Sequence, residues 1–126
     1  IVVDPSVNYS GYFDARSRSI TMKQIDDSVY HELGHFLAFI AGNADKTASF
    51  QSIFAAEKAN VTAFNKAYVT QNASEYFAES VKDYILNNAS LKSSRPQTYA
   101  AVQNALNQIT DAQIAKIQKI YGAFWN

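Results

Sequence analysis

Cysteine is absent from this chain, so disulfides and thiolate metal sites are excluded. An excess of charge is absent too: 11 Lys and Arg balance 11 Asp and Glu, for a formal net charge of +0. Without a basic stripe there is no electrostatic footprint for nucleic acid or an anionic membrane surface. No apolar run reaches the roughly 20 residues that a spanning helix needs, so no membrane span is expected. No signal peptide, internal repeat, low-complexity tract or linker is visible. The 126 residues therefore read as one domain over 1–126. The chain begins at Ile1 rather than Met, which reads as a processed or trimmed form, a fragment of a longer protein. No feature indicates an oligomer. Histidine is scarce as well. The only two, His31 and His35, lie within five residues, so any imidazole chemistry must happen there.

What the chain does have is apolar mass. Hydrophobic residues make up 48%, including eight Tyr and eight Phe, enough for a core without staples. The N-terminal quarter reads as strand and turn. Ile1-Val2-Val3 is a β-branched run stopped by Pro5. Gly11 to Phe13, a polar turn around Asp14-Ala15-Arg16, and Ser17 to Met22 read as a hairpin. In the second arm Arg18, Ile20 and Met22 share one face, and Ser17, Ser19 and Thr21 the other. Such half-polar alternation suggests an edge strand.

From Asp26 onward the pattern is helical. Asp26, Asp27 and Ser28 are N-cap candidates. Val29, Leu33, Phe36, Leu37 and Ile40 recur at helical spacing up to a stop at Gly42. Further helices are expected over about 46–58, with Phe50, Ile53 and Phe54 inward, and about 73–86, with Tyr76, Phe77, Val81, Tyr84 and Ile85 inward. Asn87-Asn88 reads as the end of the latter. Ser94 and Pro96 open another helix, to about Gln108. Thr110 with Gln113 resembles a capping box that opens a last helix to about Phe124. Segment 60–68 is left as one or two turns. The N-x-S/T matches at Asn8, Asn60, Asn72 and Asn88 read as caps and turns.

His31-Glu32-Leu33-Gly34-His35 is an H-E-x-x-H motif. Residues four apart on a helix share a face, so His31 and His35 can present two imidazoles to one ion. Glu32, one step round, can reach a water on that ion without ligating it. That is the pattern of zinc peptidases, with two His ligands, one Zn2+ and a Glu general base. A bystander pair of histidines would not call for the adjacent Glu. Gly34 needs a reason of its own, since Gly costs roughly 1 kcal/mol in a helix interior. Close approach of another element is one.

A catalytic zinc takes a third protein ligand and keeps one open position. With no third His and no Cys, that ligand must be Asp or Glu. Glu75 and Glu79 lie four apart on a helix. Glu75 could ligate zinc, and Glu79 could hydrogen-bond a ligand histidine from behind. Taken alone, such a pair reads more readily as a solvated face; the packed aromatics Tyr76 and Phe77 beside it bring the two readings level.

The HELGH run, followed by Tyr68 and by Glu75-Tyr76-Phe77-Ala78-Glu79-Ser80, resembles the catalytic-domain family of anthrax lethal factor. Within that family it is most similar to the bacterial Pro-Pro endopeptidases. Ala48 to Phe54 and Pro96-Gln97-Thr98-Tyr99 share the likeness, which spans about 30–104. The resemblance implies an α+β zincin-like fold: mostly helical, with a small N-terminal β element and the HExxH helix. It implies a zinc endopeptidase acting on a peptide or protein substrate, secreted by Gram-positive bacteria. It implies zinc ligands at His31, His35 and Glu75, Glu32 as base, Tyr68 beside the metal stabilising the oxyanion, and Glu79 behind a ligand. In zincins the substrate lies along an edge strand, which here would be Ser17, Arg18, Ser19, Ile20 and Thr21. Ser74 stands where the Pro-Pro group has a second acid, which leaves specificity open. The rival reading is a non-catalytic zincin-fold domain, or toxin component, that only binds a protein partner.

Overall fold

The computed structural model describes residues 2–3, 5–6, 11–14, 16, 19–22, 27–63 and 65–109. Three strands come first: β1 (Val2–Val3), β2 (Gly11–Asp14) and β3 (Ser19–Met22). β2 and β3 form the expected hairpin, antiparallel, with Phe13 opposite Ile20 and Asp14 opposite Ser19. β1 returns parallel along the other side of β3, with Val2 opposite Thr21 and Val3 opposite Met22. The order is β1-β3-β2, so β3 is central.

This corrects the edge-strand expectation. Alternation along a strand reports which faces are packed and carries nothing about how many neighbours bond its backbone. Thr21 and Met22 are bonded to β1 on their far side, so β3 offers no continuous free edge to a peptide. Ser17 and Arg18 lie outside the described residues. Among the described strands the free edges belong to β1 and β2.

Helix α1 (Ser28–Ile40) carries the HELGH run. It starts after Asp27, whose side chain makes no capping bond. It stops as expected at Gly42, whose φ of 77° suits a residue without Cβ and whose N–H donates to the Phe39 carbonyl at 3.2 Å. A 3-10 turn (Ala44–Lys46) leads to α2 (Ala48–Glu57), where the Thr47 Oγ1 accepts from the Phe50 N–H at 3.1 Å. After a second 3-10 turn (Lys58–Asn60) come α3 (Lys66–Val69), α4 (Ala73–Leu86), α5 (Asn88–Ser94) and α6 (Pro96–Asn107). The described chain is thus mostly helical with a small mixed sheet. Helix α5 was not expected. The Asn pair does end α4, but the chain turns straight into a new helix, and the Asn88 Nδ2 donates back to the Tyr84 carbonyl at 3.0 Å. The helix expected over 110–124 lies outside the described residues.

Helix α1 is held between two layers. On one side Phe13 of β2 meets Phe36 edge-on at 5.6 Å and Phe39 at 6.0 Å. On the other, α4 makes the most extensive contact between any two elements. Burial therefore goes to His31, Glu32, Gly34, Ala38 and Phe39, while the expected stripe of Leu33, Phe36, Leu37 and Ile40 is only half-buried. Helix α4 is the centre of the molecule, touched by α1, α2, α3, α5 and α6. Every residue from Tyr76 to Val81 is buried, as for a helix enclosed on all sides. Ile85, expected inward, is 43% exposed because α4 has left the core by its last turn.

Candidate metal centre

Two local devices bring the site together. The first is the crossing of α1 over α4. A Cβ built on Gly34 would lie 2.6 Å from the Ala78 carbonyl oxygen and 2.7 Å from its Cα. No other residue allows the helices to come so close. That proximity sets His31 and His35, one turn apart, over Glu75 and Glu79, also one turn apart. The second device is the start of α4. Asn72 is extended, at φ −157°, and its Oδ1 accepts from the Glu75 N–H at 2.8 Å. The cap fixes where the helix begins and hence where Glu75 stands. A carboxylate in the first turn also suits the helix dipole.

The three donor side chains meet. His31 Nε2 lies 2.8 Å from Glu75 Oε2, and His35 Nε2 lies 3.4 Å from Glu75 Oε1. The imidazoles sit 5.1 Å apart, nearly perpendicular. Behind them, Glu79 Oε1 accepts from His31 Nδ1 at 3.2 Å. His31 and Glu79 are both buried. Burial works against a charged imidazole at His31, but the hydrogen bonds to Glu75 and Glu79 outweigh it and raise its pKa to about 9. Burial also works against ionised Glu75, and the two histidines outweigh it, holding its carboxyl far below the usual range. Glu79 is lowered too, against its own burial, by His31 and then Lys82.

The donor set fits a metal ion. Ligand atoms of His31, His35 and Glu75 all lie within 4.8 Å of one another. Two imidazoles and one carboxylate are what a catalytic zinc takes while keeping a position open. The hydrogen bond on the far nitrogen of His31 resembles the carboxylate–histidine support usual at such centres. Glu32 is 7% exposed and faces the same cleft. Burial lifts its pKa, partly offset by His31 and His35. Tyr68, on α3, lies with its ring 6.2 Å from His31. It is 54% exposed, so it is not a core aromatic. Burial of its hydroxyl and the nearby Glu75 and Glu32 charges raise its pKa, so the phenol keeps its proton.

These residues open onto a cavity of about 600 Å³. Its lining includes Glu32, His35, Tyr68 and Glu75, with Phe13 and Asp14 from β2. The strand edge at the cleft is therefore that of β2. The same lining holds Asn43, Asp45 and Lys46 after α1, which the sequence did not single out, and Ser74 at the start of α4, which it marked only as a departure from the Pro-Pro group. Ser74 Oγ donates to Asp45 Oδ2 at 2.6 Å. Twenty-nine residues separate that pair, and neither carries a motif. The one local hint was the turn after Gly42, where loop residues gather beside a functional helix.

The family model described as "Anthrax toxin lethal factor, N- and C-terminal domain" matches residues 14–105. A Pro-Pro endopeptidase of Clostridioides difficile (strain 630) is 41% identical over 78 residues, covering 59% of this chain. The chain spans 34% of that relative's length. No solved structure matches.

Proposed function

The chain belongs to the anthrax toxin lethal factor family, and from that premise we propose that it is a zinc-dependent endopeptidase domain of zincin fold. The observation that carries this reading is that buried Glu32 opens onto the same cleft as His35 and Glu75, whose ligand atoms meet those of His31. A domain that only bound a partner would have no use for a base at that place. His31, His35 and Glu75 would hold the ion. A bound zinc ion supplies Lewis acidity and a water of lowered pKa. Glu32 takes the proton of the attacking water and passes it to the leaving amine; its burial makes it the stronger base. Tyr68, still protonated, donates to the developing oxyanion. Glu79 holds the His31 Nδ1 proton and so turns Nε2 toward the site. The peptide adds as a strand to β2 (Gly11–Asp14), which among the described strands is the free edge bordering the cleft. Secretion and a Gram-positive source follow from the same family likeness.

Peptide-library cleavage, with and without a chelator, tests this directly. The zinc-loaded chain should cut, and the chelated chain should not. Glu32→Gln should keep its zinc and lose at least about 10²-fold in turnover, as loss of a general base does. Full activity in Glu32→Gln would sink the mechanism. A zinc-loaded wild type that binds peptides but cuts none would favour the binding-domain reading.

A further inference from the structure

Tyr68 is the most exposed member of the proposed machinery, and it stands on α3, a helix of only four residues. A single turn gains too little to form by itself, so its place is set by what fastens it. Toward its C-terminal end the fastening is plain. Val69 is 1% exposed, and the Thr70 hydroxyl donates to the Lys66 carbonyl at 2.6 Å, within the same turn. At the N-terminal end Asn65 makes no side-chain cap. There the Lys66 ammonium donates to the Ala59 carbonyl at 2.8 Å and closes the loop between the second 3-10 turn and α3. A charged donor makes a stronger bond to a carbonyl than a neutral one does. Lys66 is itself exposed and lines no part of the cleft, so it can act on the chemistry only through the turn it holds.

We propose that Lys66 is a positioning residue for the reaction: its bond to Ala59 holds α3 where the Tyr68 hydroxyl can reach the developing oxyanion. The inference rests on the peptidase reading and adds to it a residue outside the cleft. An oxyanion donor is effective when it stands in place before the charge develops. Without the tether α3 is held mainly through Val69, and the phenol spends part of its time away from the metal donors. Those donors stand on α1 and α4, so zinc binding does not depend on the tether.

The test uses the full zinc-loaded chain and the best-cut peptide of a library. Lys66→Met keeps the apolar stem and removes the donor. Its kcat should fall by about tenfold, the scale of one hydrogen bond from a charged group, while KM, zinc content and melting temperature hold. Lys66→Arg keeps a charged donor and should recover most of that loss. In a Tyr68→Phe background Lys66→Met should cost nothing further, because the hydroxyl it positions is gone. An unchanged kcat in Lys66→Met would overturn the proposal. So would an equal fall in the Tyr68→Phe background, which would place the effect of Lys66 elsewhere, or a Lys66→Arg chain as slow as Lys66→Met. Each of these leaves the peptidase reading intact. If the wild type cuts no peptide, that reading has failed and amide exchange decides on the tether. The Tyr68, Val69 and Thr70 N–H groups donate to the Asn65 and Lys66 carbonyls. In Lys66→Met they should exchange about tenfold faster while those of α4 hold. Faster exchange supports the hold on Tyr68 although the peptidase reading has failed; equal exchange overturns both.

Discussion

At the scale of single residues, Gly34 shows how a position can serve the site without touching it. Its missing Cβ is the space into which the Ala78 backbone fits. Gly34→Ala should therefore destabilise the fold by about 1–3 kcal/mol, the usual scale of overpacking, although alanine is the better helix former. Thermal or urea unfolding would read this. Zinc affinity should fall with it, because prising α1 from α4 moves both histidines off Glu75. A variant as stable as wild type would mean the helices can slide apart freely. The sequence posed the question, since a glycine inside a helix needs a reason, but no local pattern named Ala78 as the partner. Glu79 is a similar case. Its spacing from Glu75 was legible; what it does became visible only when α1 was laid on α4 and Nδ1 of His31 met it.

At the scale of elements, helices with their own local signals were readable and those held by distant ones were not. Asn72 announces α4, and its cap is made as expected. Helix α6 is different. Pro96 marks its first turn, but the residue before it, Arg95, gives no side-chain cap. The N–H groups of Gln97 and Thr98, left without partners inside the helix, are taken instead by the two oxygens of Glu57, at 3.1 and 2.8 Å, from the end of α2. Thr98 also donates its hydroxyl to Glu57 at 2.7 Å and bonds the Tyr76 hydroxyl at 2.6 Å. Nothing near Pro96 in sequence encodes that cap, because it is supplied from 40 residues away. Glu57→Gln turns one acceptor oxygen into a donor and leaves a buried N–H facing it. It should cost about 1–3 kcal/mol in urea unfolding. A change below half that would show that α6 caps itself. The central place of β3 was hidden for the same reason. It depends on β1, a run of only two residues, returning from the start of the chain.

At the scale of the whole molecule, the metal donors tie together the two helices that make the largest contact in the fold. Ligand binding to the native state alone adds stability by mass action, about 2.7 kcal/mol at a hundred times the dissociation constant. Zinc should therefore raise the unfolding midpoint, and a chelator should reverse the shift. Glu75→Ala should remove most of the zinc-dependent part. If that variant still gained stability from zinc, the third donor would lie elsewhere.

Helix α4 is both the most enclosed segment of the described chain and the carrier of Glu75 and Glu79. Segments of that kind open last, with the rest of the molecule, whereas peripheral turns fray on their own. The centre thus has no private route of decay. Amide hydrogens from Tyr76 to Val81 should exchange only through global unfolding, and inactivation by heat should track the collapse of the entire domain.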